Sequence, residues 1–121
     1  FPLDFHHQAR GAAEAAACAR RQGRFFEYHD ALFENQKALA LPDLEARARK
    51  LGLDLESFRS CLSARQTAAE VDADLEEARR LGVSGTPAFF VNGILLSGAQ
   101  PYESFVAVID AELGRSAEAK R

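Results

Sequence analysis

Leu81-Gly-Val-Ser-Gly-Thr-Pro-Ala-Phe-Phe-Val-Asn-Gly-Ile-Leu-Leu-Ser-Gly-Ala-Gln-Pro101 is the most punctuated stretch of the chain. Gly82 follows a helical pattern and stops it. Gly85-Thr86-Pro87 is a sharp corner, with the proline at the head of a strand, where a missing N–H is tolerated. Ala88 to Val91 and Ile94 to Leu96 are apolar runs separated by Asn92-Gly93, the strongest short-range signal for a β-hairpin. Pro101 then opens a helix.

Five helices are expected upstream. Gln8 to Gln22 is alanine-rich and stopped by Gly23. Its small face of Ala9, Ala13, Ala16 and Ala17 invites close approach by a neighbour. Arg24 to Gln36 places Phe25, Tyr28 (or His29), Leu32 and Phe33 at three- and four-residue steps, the stripe of an amphipathic helix. Pro42 to Leu51 has a first-turn proline and early acids, and Gly52 ends it. Asp54 caps Leu55 to Ser63. Thr67 to Leu81 repeats Ala68, Val71, Leu75 and Ala78, with acids early and Arg79-Arg80 late. The last helix should turn Phe105, Val106, Ile109 and Leu113 inward. The predicted fold class is therefore α+β, predominantly helical: about five helices, one hairpin after a Thr-Pro corner, and a C-terminal helix.

At 121 residues and 47% apolar composition the chain fits one core. Lys and Arg number 15 against 18 Asp and Glu, and the bases are interspersed with acids, which argues against electrostatic capture of nucleic acid. No apolar run is long enough to span a bilayer. The chain opens on Phe1-Pro2 and contains no methionine, which reads as a fragment or processed piece. Phe1 to Phe5 looks like the tail of a strand.

The segment from Leu81 to Gly93, then Leu96-Ser-Gly-Ala-Gln-Pro101, resembles the DsbA-like thioredoxin-fold family of thiol-disulfide oxidoreductases. So do Phe1-Pro-Leu-Asp-Phe-His6 ahead of an alanine-rich helix and Phe25-Phe-Glu-Tyr-His-Asp-Ala-Leu-Phe33. The resemblance covers essentially the whole chain. It implies one partial domain over 1–121, with a helical subdomain at 7–81, the remaining thioredoxin hairpin and helix at 83–113, and a flexible tail at 114–121. Spacing alone would assign Thr86-Pro87 a trans bond, because only about 5–6% of X-Pro bonds are cis. The resemblance implies a cis corner lying against active-site cysteines, with Thr86 pairing its backbone to an extended substrate peptide beside Pro87.

The family's Cys-x-x-Cys lies at a helix N-terminus, where the thiol pKa is lowered. No Cys-x-x-Cys occurs in these residues, so the resemblance implies that the first strand, the redox helix and most of the second strand precede Phe1. Cys18 and Cys61 fall inside separate helices. Three readings stay open for them: buried reduced thiols, a structural disulfide, or a catalytic role. Some members of the family staple their helical insert in this way. His6, His7 and His29 have no acid or cysteine at metal-building spacing, so no metal or other cofactor is expected.

By resemblance the parent exchanges dithiols and disulfides with protein or peptide thiol substrates in an extracytoplasmic compartment, periplasmic or secreted. This chain alone is expected to be inactive. The alternative is a non-catalytic binding or assembly module. An isolated hairpin is marginal in water, so a homo-oligomer is expected, most simply a dimer pairing hairpins or Phe1 to Phe5 segments. No nucleic-acid partner and no membrane span are expected.

Overall fold

The computed structural model describes residues 1–119; the last two residues of the expected tail lie outside them. Two compact units emerge, residues 1–78 and residues from 79 onward, and each is described by itself. The first contains α1 (Ala9–Arg20), α2 (Phe25–Glu34), α3 (Leu41–Lys50), α4 (Leu55–Ser63) and most of α5 (Ala68–Arg80). The second contains β1 (Ala88–Val91), β2 (Ile94–Ser97) and α6 (Tyr102–Glu118).

The centre of the first unit is α1, which packs against α2, α3 and α4. Every residue from Glu14 to Ala19 is buried, so the helix is enclosed on all sides rather than along one stripe. Alanine makes this feasible, because a helix with almost no side-chain bulk lets several neighbours approach its backbone. Of the expected small face, Ala16 and Ala17 are buried and Ala9 and Ala13 only half-buried. The bulk of the core comes from the partners: Tyr28 of α2, Leu44 and Ala48 of α3, Leu53, and Phe58 of α4. Tyr28 and Phe58 are fully buried, their rings 5.6 Å apart. Burying a side chain of this size contributes about 1.5–3 kcal/mol.

Helix ends follow local chemistry. Gly23 takes the left-handed conformation after α1 (φ 73°), and the Arg24 N–H bonds back to the Ala19 carbonyl at 3.0 Å. Asp54 caps α4, accepting the Ser57 N–H at 2.7 Å. After α4 the left-handed position falls on Arg65 (φ 49°), not on a glycine. Its guanidinium is held by Glu14.

Two inward assignments do not hold. Phe33 was expected in the core of α2 but is 62% exposed. It lies five residues from Tyr28, about 140° around the helix, so both cannot face the core. Phe25 and Leu32 flank Tyr28 instead, half-buried. In the second unit α6 buries no residue fully, and Val106, Ile109 and Leu113 are exposed. A 17-residue helix is about 25 Å long, whereas a four-residue strand is about 13 Å. The hairpin is too small to cover it. Phe105 stands edge-on to Phe89, with ring centroids 5.0 Å apart.

The sheet is an antiparallel pair in the register Ala88 with Ser97, Phe89 with Leu96, Phe90 with Leu95 and Val91 with Ile94. Asn92 (φ 48°) and Gly93 (φ 88°) form its turn, two successive positive-φ residues as the right-handed strand twist favours. Of the expected tail at 114–121, Gly114 to Glu118 belong to α6 and Ala119 is its C-terminal cap. A helix-interior glycine costs about 1 kcal/mol without ending the helix.

Candidate functional site: an exposed corner and a buried disulfide

In the second unit the chain reaches β1 through Ser84-Gly85-Thr86-Pro87. The Thr86–Pro87 peptide is cis, and both residues are exposed. The Pro87 carbonyl accepts the Gly98 N–H at 2.8 Å, extending the ladder one step beyond the strand ends. Thr86 lies just outside that ladder. Its N–H and C=O have no hydrogen-bond partner among the described residues. They form an exposed donor and acceptor pair at the head of a strand, the arrangement by which an extended peptide adds to a sheet. Nothing in Gly85-Thr86-Pro87-Ala88 titrates near neutral pH, so the corner by itself can hold a peptide but supplies no acid, base or thiolate.

In the first unit, Cys18 and Cys61 form a disulfide joining α1 to α4, with Cα atoms 6.0 Å apart, and no free cysteine remains. Both residues are buried. The Cys18 sulfur lies 3.7 Å from the Thr67 hydroxyl, which donates to the Glu14 carbonyl at 2.9 Å. Cys18 sits near the C-terminal end of α1 and Cys61 in the second half of α4. Neither has the helix N-terminus that favours a thiolate.

The histidines are dispersed. His6 packs on Phe5 with ring centroids 4.5 Å apart, while His29 lies on α2 with Nδ1 2.9 Å from an Asp30 oxygen. Among the described residues no group of three or more His, Cys, Asp or Glu side chains is placed to hold a metal ion.

None of the polar groups that organise the first unit is among the candidate site residues of the sequence. The Glu14 carboxylate, 5% exposed, accepts from Arg65 Nη2 at 2.7 Å and from Arg10 Nε at 3.0 Å. Arg10 also reaches Asp72 at 2.6 Å. The Arg65 hydrogen bonds, ahead of those from Arg10, outweigh burial and hold the Glu14 carboxyl below its ordinary range. Arg47 is buried and donates to the carbonyls of Ala31 at 3.0 Å, Asn35 at 3.3 Å and Ala38 at 3.1 Å. Tyr28 donates to the Leu44 carbonyl at 2.9 Å, and burial pushes its pKa up to about 12. Arg10 and Glu14 have the i, i+4 spacing of an ordinary exposed helical pair, so nothing in the alanine run marks Glu14 as buried.

Comparison with known proteins agrees with this architecture. The Na(+)/H(+) antiporter NhaA 3 of Salinispora tropica is 42% identical over 106 residues, which is 88% of this chain and 16% of that protein. The Na(+)/H(+) antiporter NhaA of Herminiimonas arsenicoxydans is 36% identical over 109 residues, 90% of this chain and 18% of the relative. The chain thus spans less than a fifth of these relatives' length. Among solved structures, a thioredoxin-like oxidoreductase from Silicibacter pomeroyi DSS-3 superposes with a TM-score of 0.76 at 28% identity, covering 88% of this chain and 62% of that one. The profile of the DSBA-like thioredoxin domain matches residues 1–110, nearly the whole chain, and the chain belongs to that family.

Proposed function

We propose that this chain is the helical and peptide-binding portion of a DsbA-like thiol-disulfide oxidoreductase, one partial domain whose redox-active cysteines lie in residues other than these 121. The observation that carries the reading is the exposed, unengaged backbone of Thr86 at the head of β1. Thr86 accepts and donates to an extended stretch of a thiol-bearing protein, and Pro87 forms the adjoining wall. The chain alone performs little or no disulfide exchange, because both of its cysteines are consumed in a buried disulfide. The family's usual setting supports an extracytoplasmic compartment. No helix among the described residues is long and apolar enough to cross a membrane.

The unpaired edges of the two-stranded sheet, together with exposed Phe89, Phe90 and Ile94, support a homodimer in which hairpins or Phe1 to Phe5 segments pair across a twofold axis. A monomeric mass by sedimentation at micromolar concentration would sink that assembly.

A second reading is favoured by one observation, that relatives at 42% and 36% identity are named as Na(+)/H(+) antiporters. Here the chain is a non-catalytic binding module attached to a larger protein. A free-thiol count on the denatured, unreduced protein, run beside a disulfide-reduction assay with a dithiol protein as positive control, tests the redox claim. No free thiol and no turnover are expected of this chain. Turnover above background overturns the claim that its chemistry resides elsewhere. Assaying the full-length gene product in place of these 121 residues separates the two readings, since turnover then appears under the first and not under the second.

A further inference from the structure

The face of α2 opposite Tyr28 is occupied by rings. Phe26 and Phe33, seven residues apart and so nearly aligned along the helix, are 74% and 62% exposed. His29 completes the strip, its ring centroid 4.8 Å from Phe33 and 5.8 Å from Phe25. On its buried side α2 packs against α1 and α3. One flank of the strip is acidic. Asp30 is 73% exposed, and Glu27 and Glu34 follow it around the helix. The helix itself contains no lysine or arginine, and the Arg24 that precedes it is matched to Glu27 at 3.2 Å. Exposed aromatic faces attract apolar side chains and cations alike, and a carboxylate edge adds a preference for positive charge.

We infer that the Phe26–His29–Phe33 strip with its Asp30 and Glu34 edge is a docking surface for a basic, apolar segment of a partner polypeptide. The occupant is set by charge. A second copy of α2 would bring Asp30 and Glu34 against the same acids, a like-charge juxtaposition that opposes self-pairing, whereas a segment carrying lysine or arginine beside leucine meets both halves of the strip. The inference goes beyond thiol-disulfide chemistry and stands on the first unit alone, so it survives or fails independently of the role given to Thr86.

The test uses the full 121-residue chain and two synthetic helical peptides, one of leucine, lysine and alanine and a twin with glutamate at every lysine position. Binding is read by fluorescence anisotropy at physiological salt and mapped by backbone amide shifts. The lysine peptide should bind at least about tenfold more tightly than its twin, with shifts centred on α2. Phe26→Ala with Phe33→Ala should weaken it by about tenfold or more. Asp30→Lys should weaken it several-fold, while Glu76→Lys on α5, the same charge change elsewhere, should leave it within about twofold. Folding of each variant is checked by circular dichroism, and Asp30→Lys carries the test if the phenylalanine pair is lost. Equal binding of the two peptides, equal loss from Glu76→Lys, or shifts confined to residues 79–119 would overturn the inference. So would a dimer of the free chain that Phe33→Ala dissolves, since the occupant would then be a second copy.

Discussion

Replacing Cys18 and Cys61 together by alanine removes the covalent link between α1 and α4. Alanine is the appropriate choice because the two residues are 1% and 5% exposed, and serine would bury an extra hydroxyl. The bridged positions are 43 residues apart. For a loop of that length the chain-entropy relation gives about 4 kcal/mol at 25 °C. Loss of the sulfur atoms from a packed site adds on the order of 1 kcal/mol. In a unit of fewer than a hundred residues each kcal/mol moves the melting temperature by about 4–8 °C, so a fall of roughly 20–40 °C is expected. Far-UV circular dichroism follows the melt, and urea titration supplies the companion signature. Because the uncrosslinked denatured chain is more expanded, the urea m-value should rise as the midpoint falls. If the variant melts within about 3 °C of the parent with an unchanged m-value, the disulfide is not what holds α1 to α4. The alanine-lined packing would then account for the unit by itself.

Glu14→Gln removes the negative partner of Arg65 and Arg10. Losing one member of a buried pair costs about 3–5 kcal/mol, which the solvent exposure of both arginines reduces to about 2 kcal/mol here. Since the folded pKa of Glu14 is lowered, its contribution is fully present above the ordinary glutamate value of 4.5 and is lost as pH falls through the folded value. Urea midpoints of parent and variant should therefore differ at pH 7 and converge in acid. A constant difference down to about pH 2 refutes the assignment. Tyr28→Phe removes the hydroxyl's bond to the Leu44 carbonyl and should destabilise by about 0.5–1.5 kcal/mol in the same titration. Gly93→Ala places a Cβ at φ 88° and should cost about 1–2 kcal/mol. It should be read as faster amide exchange in β1 and β2, with α1 to α4 unchanged.

Where local chemistry decides, the sequence was legible. Asn92-Gly93 places the hairpin, Asp54 starts α4 at the right residue, and the glycines at 23, 52 and 82 mark helix ends that the backbone confirms. Periodicity was less informative about which side of a helix is covered. The i, i+3, i+4, i+7 pattern of α2 contains two apolar faces, and only tertiary packing selects Tyr28 over Phe33. In α6 the apolar stripe is real, yet covering it needs more sheet than two four-residue strands provide. The Thr86-Pro87 corner was visible as a motif through family resemblance, whereas the freedom of Thr86's backbone is a property of three-dimensional register. Glu14, Arg47 and Arg65 were invisible for a different reason. The Arg10–Glu14 pair has an ordinary i, i+4 helix spacing, but Arg65 joins it from 51 residues away and Arg47 is answered mainly by backbone carbonyls, neither of which leaves a pattern in neighbouring residues.

Arg47 has a further consequence for how α2 behaves as a piece of protein. The helix ends at Asn35 without a glycine; Gln36 answers the Phe33 carbonyl, and one guanidinium from α3 answers those of Ala31 and Asn35. The terminus of α2 is thus written partly in another helix. A peptide copied from residues 25–34 would display the same rings but lack the group that closes its last turn, and a helix that short is marginal in water on its own. Lysine at 47, a point charge without the planar fork, could not reproduce three separate carbonyl contacts. The aromatic strip is therefore not portable. Any engineered transfer of it to another scaffold must carry α3 and Arg47 along, making the smallest heritable unit of this surface a helical pair.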